Sequence, residues 1–331
     1  AITTVPLDRW DVDTDTTAFG ICRRRDPYTE RYSRHGSFVS DIDHFDCLFF
    51  DVSNAEATAI DPQQRMILKV VVDAMYGAGM TKDLSRGSNT AVYVGICNND
   101  HDSFLRERIV EMTFEGKSYE EVVDTIGAIA YSTYAFASNR VSHILGLVGA
   151  SLSIDCASAS ALVAINMAAT ESLRDAGKDL RCIAASVNLI LHHNMTDLHT
   201  ARVMFPADGR CKTFGSRADG FERGEGAGSV ILWHSHEQSK STNESSSQTG
   251  TVMREHTVKE HAFVYICGLA TTHKGGGASL RALRGPAIQH KVRTALMDAR
   301  MAPSELKYIE ASGLGEPYGD AVEVGAYQVV F

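Results

Sequence analysis

The 331-residue chain is 44% hydrophobic, 22% charged and 8% aromatic, a balance that supports a well-buried core and excludes a disordered chain. A net charge of -9 with no basic stripe argues against a nucleic-acid or anionic-membrane binder, and Arg23-Arg24-Arg25 reads as a solvated loop. There is no apolar run of about 18 residues, no signal-peptide pattern, and seven cysteines without paired spacing, so the expectation is no membrane span and a reducing cytoplasmic or organelle interior rather than secretion.

Residues 1–60 read as irregular, closing on Phe45, Phe49 and Phe50. Asp61-Pro62 marks a helix start, because Pro at the first turn gives up an N–H that has no intrahelical partner. Met66, Leu68, Val70, Val71 and Met75 carry that helix, and Gly77 and Gly79 end it. Thr90 to Gly95 is a short buried strand, and 103–125 is a polar stretch with helical spacing. Ser151 to Asp155 is a strand that turns through Cys156-Ala157-Ser158-Ala159-Ser160. The helix after it, about Ala161 to Ala176, shows Leu162, Ile165, Ala169 and Leu173 on one face, with Gly177 as C-cap and Lys178 beside it. Apolar strands follow at Cys182 to Leu191 and Ser229 to Trp233.

Ser235 to Gly250 is polar, with almost nothing to bury, and predicts a flexible insertion. Order resumes with a strand at Phe263 to Cys267, a helix at Gly285 to Arg300, a strand at Tyr308 to Ala311 and a helix from Asp320 to Phe331. This alternation predicts an α/β protein with mostly parallel, buried strands. The chain stops inside an apolar helical pattern, which predicts truncation.

Several segments, taken together and in order, resemble the beta-ketoacyl synthase (ketosynthase) domains of polyketide and fatty-acid synthases. Phe45-Asp46, Phe49-Phe50 and Asp61-Pro62-Gln63-Gln64-Arg65 look like that family's FD…FF…DPQQR. Pro206 to Lys212 and Asp219 to Gly228 are similar to PDGRCK…DGF.RGEGAG, and Ile309 to Gly325 resembles VEAHGTGT.LGDPIEVG. The resemblance implies a thiolase-like five-layered αβαβα fold of two similar halves, the second incomplete here. Residues 1–233 would form the nucleophile-bearing half, 234–260 the insertion and 261–331 the start of the second half. The family's opening strand would lie before Ala1, and its GHxE segment and glycine-rich gate beyond Phe331. It also implies a homodimer or a ketosynthase-like heterodimer, and substrates carried on the phosphopantetheine of an acyl carrier protein, with no cofactor bound by the domain itself.

The family reaction is a decarboxylative Claisen condensation run by a cysteine thiolate and two histidines. Laid without gaps on Asp155 to Ile165, the family pattern DTACSSSLVAL places Ser158 at the nucleophile position and Cys156 where the family has Thr. A slipped register would instead make Cys156 the nucleophile. Beside these stand plainer readings, in which Cys156 is a small buried residue at a strand end and Ser158 caps backbone N–H groups at a helix start. The family's HGTGT becomes Ser312-Gly313-Leu314-Gly315-Glu316, so Ser312 occupies the first His position. A hydroxyl has no labile proton near neutral pH, and an alcohol nucleophile needs an adjacent base. Thr272-His273-Lys274-Gly275 and Arg281-Ala282-Leu283 depart from the family near its pantetheine arm, while Gly224, Gly226, Gly228, Gly313 and Gly319 keep its pattern.

The expectation is therefore a ketosynthase-like domain without condensing activity, acting as scaffold, dimer partner or acyl-chain cradle. The alternatives are an active acyltransferase using Ser158 or Cys156, and a structural subunit of an unrelated complex. Gly224, Gly226 and Gly228 precede a strand rather than open a helix, so they are no dinucleotide loop, and Gly275-Gly276-Gly277 lacks a P-loop ending. His192-His193 and His234/His236 have no Cys or carboxylate at ligand spacing and read as loop histidines, not metal ligands.

Overall fold

A computed structural model describes residues 1–12, 34–131, 133–174, 180–201, 204–206, 208–234, 264–279 and 282–331. The expected polar insertion from Ser235 onward, the Gly177 cap and Lys178 lie outside the described residues. The segment expected to be irregular holds a two-residue antiparallel ribbon, β1 (Thr3–Thr4) with β2 (His35–Gly36), and two short helices, α1 (Cys47–Phe50) and α2 (Asn54–Ala59). Helices this short survive because each is capped. Asp46 accepts from the Phe49 N–H and Ser53 from the Glu56 N–H, satisfying first-turn donors that otherwise have no partner. The same device starts α3 (Pro62–Gly77) at Asp61 and α4 (Lys82–Ser85) at Thr81.

β3 (Ala91–Gly95) follows, fully buried along its length. The polar stretch then forms two helices, α5 (Asp100–Phe114) and α6 (Tyr119–Tyr131), rather than one. Gly116 takes φ +70°, and the N–H groups of Gly116 and Lys117 turn back onto Thr113 and Met112, a reversal that a single helix has no room for. Next come α7 (Ala135–Leu145), β4 (Ser151–Ile154), α8 (Ser160–Arg174), β5 (Arg181–Asn188), α9 (Asn194–Ala201) and β6 (Gly226–Trp233). The remainder contributes α10 (Gly285–Ala299) and α11 (Pro317–Val330), packed on each other.

The sheet order is β4-β3-β5-β6. β3 runs parallel to both β4 and β5, with Gly95 opposite Ile154 and Ser186, and β6 closes the sheet antiparallel to β5. Side chains alternate across the pleat. Val92 and Val94 face a core with Ile67, Leu68, Val71, Val141 and Leu145 of α3 and α7. Ala91 and Tyr93 face the opposite way, toward Ala164 and Ala168 of α8. The result is helix, sheet and helix in three layers, with the strand most buried on both faces at the centre.

Two expectations fail here. On α8 the buried face is Ser160, Ala164, Ala168 and Ser172, while Leu162 is 70% and Leu173 57% exposed. Small residues win the sheet side because they let the helix backbone approach closely; Leu162 and Leu173 point outward, and of the expected face Ile165 still packs, partly buried, against the sheet-side core. The strands expected at Phe263 to Cys267 and Tyr308 to Ala311 do not form: the described residues of both have no ladder partners, and Val264 and Tyr308 are 81% and 90% exposed. A strand depends on a neighbour's backbone, and none of the described residues offers one there.

The N-terminal segment is tied to the sheet through Glu225, whose side chain is fully buried. It accepts from Arg9, from the Val39 N–H at 2.8 Å and from the Ile190 N–H at 2.8 Å. Glu225→Ala would strand a nearly buried guanidinium and two amides, and is expected to lower unfolding stability by about 3–5 kcal/mol, read from urea melts. A loss below about 1 kcal/mol, the level of an exposed pair, would show that the anchor does not hold the segment.

Candidate active site

The turn joining β4 to α8 carries both nucleophile candidates two residues apart. Asp155, Cys156, Ala157, Ser158 and Ala159 are all exposed, and the helix begins at Ser160. Local hydrogen bonds set the turn. Asp155 Oδ1 accepts from the Ala157 N–H at 3.0 Å. The buried Ser160 hydroxyl accepts from the Cys156 N–H at 2.9 Å and donates to the Ala157 carbonyl at 2.7 Å. Ala157 sits at φ +51°, in the left-handed region that β-carbons disfavour.

This corrects the plainer readings of both residues. Cys156 is exposed rather than buried, because the turn rises off the end of an edge strand. Ser158 makes no side-chain hydrogen bond among the described residues, and it is the Ser160 hydroxyl that ties the turn's backbone. Ser158 is therefore exposed two residues before the start of a 15-residue helix, whose N-terminus carries partial positive charge.

What holds the turn up is Gly95 at the end of β3. A β-carbon there would lie 2.7 Å from the Ser160 carbonyl and 2.9 Å from the Ala161 nitrogen, so strand backbone touches helix backbone directly. Gly95→Ala is expected to cost about 1–3 kcal/mol and to speed hydrogen exchange at Ser160 and Ala161. An unchanged melting temperature would mean that the approach is looser than drawn.

The second candidate lies on the loop before α11. The N–H groups of Ser312 and Gly313 donate to Glu323 at 2.8 and 2.9 Å, and the Tyr327 hydroxyl adds a third bond. Burial pushes the Glu323 carboxyl up, but these donors outweigh it and leave it below the usual carboxylate range. Asp320 does the same work one turn earlier, accepting from Gly315 and Phe214. Gly315 needs its positive φ of +73°, and a β-carbon there would lie 2.6 Å from the Gly220 carbonyl. The 208–220 loop is thereby clamped to the Ser312 loop. The Ser312 side chain itself is exposed, with no hydrogen bond among the described residues, and none joins it to Ser158 or Cys156.

Beside the turn are residues that sequence reasoning passed over. Burial, then the Asp155 carboxylate, push the Cys97 thiol up. The same two causes push the Tyr134 hydroxyl to about 12. Both groups stay protonated near neutral pH. Only the position of Cys97, two residues past the end of a buried strand, signalled this in the sequence.

A family profile described as "Beta-ketoacyl synthase, N-terminal domain" matches residues 1–238, and one described as "Beta-ketoacyl synthase, C-terminal domain" matches residues 263–331. The chain belongs to the beta-ketoacyl synthase family. Among curated proteins it is 31% identical over 338 residues to a phenolphthiocerol/phthiocerol polyketide synthase protein of Mycobacterium tuberculosis, with all of this chain covered. It is also 31% identical to the 6-methylsalicylic acid synthase of Aspergillus niger, with 93% covered. Among solved structures, the ketosynthase from module 6 of the bacillaene synthase of Bacillus subtilis, in a cysteine-to-serine mutant form, superposes with a TM-score of 0.78 at 25% identity over the whole chain. A ketosynthase domain for oxazolomycin from Streptomyces albus gives 0.76 at 28%. The chain spans 14% and 16% of those two curated proteins and about half of the solved ketosynthases. The ketosynthase fold is thus an α/β fold of the thiolase-like type, and the family is that of the 3-oxoacyl synthases, which carry out Claisen condensation. No helix among the described residues is long and apolar enough to cross a membrane.

Proposed function

We propose that this chain serves a polyketide or fatty-acid synthase system as a ketosynthase-like domain that does not condense, working as scaffold, dimer partner or acyl-chain cradle. The reading rests on the gap-free register, which puts Ser158 at the family's nucleophile position and Ser312 at its first histidine position, and is supported by Ser158 being exposed with no base hydrogen-bonded to it among the described residues. An alcohol at a helix N-terminus is not acidified enough to attack a thioester unaided. The Ser312 hydroxyl cannot take or give a proton as an imidazole does.

What remains is a scaffold. The left-handed Gly313 and Gly315, Glu323 and Asp320 keep the second loop docked on the first. The exposed Leu162 and Leu173 on α8 and the apolar segments near 264–267 and 308–311, which have no ladder partners among the described residues, support a five-layered arrangement of two halves, 1–233 and 261–331. β4 is an edge strand with Leu152 43% exposed, which supports pairing with a second ketosynthase-like chain. Acyl groups would arrive on the phosphopantetheine of an acyl carrier protein, with no cofactor held by the domain.

The test is intact mass after incubation with an acyl thioester, together with carbon dioxide release from a malonyl thioester. Neither adduct nor release is expected. An adduct that disappears in Ser158→Ala or Cys156→Ala would replace this reading with that of a working acyltransferase, for which the exposed Cys156 thiol is the available group.

A further inference from the structure

We propose that Glu107, His192 and His193 form a binding site for one divalent transition-metal ion of the zinc class. Glu107 comes from α5, and the two histidines follow β5 by a few residues, so the cluster joins segments 85 residues apart. One ligand atom from each residue lies within 4.8 Å of the other two. His192 is buried, with Nε2 2.8 Å from Glu107 Oε2. The two imidazole rings stack, 4.3 Å apart and 30° from parallel, so neighbouring residues present their rings side by side rather than to opposite faces. Two imidazole nitrogens and a carboxylate oxygen with a further position open is a donor set that zinc and its neighbours in the transition series accept.

The surroundings hold these ligands in place. The Asp197 carboxylate, buried on α9, lies 2.8 Å from His193 Nδ1. It fixes that nitrogen as the proton carrier and leaves Nε2 with its lone pair, the arrangement by which a carboxylate orients a metal-binding histidine. The backbone under the histidines is pinned as well, since the Leu191 and His192 N–H groups both donate to the buried Asp100 carboxylate. The edge of Trp10 lies against His193.

His192 Nδ1 accepts from the Asn194 N–H at 3.2 Å, so the metal-free ring carries its proton on Nε2 and donates it to Glu107. An ion takes the place of that proton between the two side chains. The proton moves to Nδ1, and the long contact from Asn194 is given up. That N–H belongs to the first turn of α9 and has no intrahelical partner, so water replaces what it loses.

The experiment uses the 331-residue chain, stripped with a chelator and titrated with Co(II) while the visible d–d absorption is followed, then with Zn(II) as competitor in equilibrium dialysis. One saturable site per chain is expected, with zinc displacing cobalt. Glu107→Gln, at a half-exposed position outside the core, should weaken uptake at least ~10-fold, and Asp197→Asn by about 10- to 100-fold. His193→Ala should abolish the absorption, with circular dichroism confirming the fold. Absence of a saturable signal overturns the proposal, as does uptake unchanged in Glu107→Gln. Neither result depends on the acyl assays, so this site and the condensation reading stand or fall separately.

Discussion

Ser158→Cys is expected to convert a chain that takes up no acyl group into one that becomes stoichiometrically acylated by a short acyl thioester. The substitution changes one atom at an exposed position at the head of α8. The physics turns on the proton. A thiol is a few per cent thiolate at neutral pH and intrinsically nucleophilic, and partial positive charge at a helix N-terminus raises that fraction. An alcohol in the same place stays protonated. The acylation rate should rise by roughly 100-fold or more, the scale on which one missing acid–base group is felt. The measurement is intact mass against time, made in a Cys156→Ala background so that the neighbouring thiol does not contribute. Carbon dioxide release from a malonyl thioester should stay at background in the same variant, because Ser312 still has no labile proton to offer. Acylation no faster than in the parent would mean that the turn does not present residue 158 to substrate at all, and the gap-free register would lose its support.

The second large effect is on stability. Asp61→Asn should stabilise the protein at pH 8 by roughly 4 kcal/mol and leave it nearly unchanged at pH 4. Asp61 caps α3 while only 1% exposed, accepting from the Gln63 N–H at 2.8 Å. Burial raises its carboxyl from the ordinary 3.8 to about 7, the nearby Asp100 adding to the rise and the Gln63 hydrogen bonds only partly opposing it. The folded chain therefore keeps a proton that the unfolded chain releases as pH climbs past about 4. Stability from this group is fully present below about 4 and is lost as pH rises through about 7. At roughly 1.4 kcal/mol per pH unit, that rise gives the stated figure. Asparagine retains the capping oxygen and carries no charge at any pH. His101 works in the opposite direction. Burial pushes its imidazole down to about 4, so its contribution is present above 6.5 and is lost as pH falls from there toward 4. It does so equally in parent and variant, so the difference between their urea midpoints isolates Asp61. A difference of the same size at both pH values would show that the carboxyl ionises normally in the fold.

The sequence by itself determined many of the local elements. The helix after Pro62, the buried strand ending at Gly95, the turn at 155–160, the helix at 285 and the last helix, read from Asp320 and found to begin at Pro317, follow from capping residues, glycines and apolar spacing, all of which act within a few residues. Motif order along the chain was enough to point to the ketosynthase family, and the profile matches bear that out. Only the tertiary structure decided what depends on distant neighbours. It turned β6 antiparallel to β5, buried alanines instead of leucines on α8, and left two apolar segments unpaired. It brought Cys156 to the surface and carried the Glu107 carboxylate, absent from any ligand spacing in the sequence, onto His192 and His193. A helix or a turn is settled by bonds a few residues long, whereas strand pairing, exposure and metal-ligand geometry are properties of surfaces that meet only once the chain has folded.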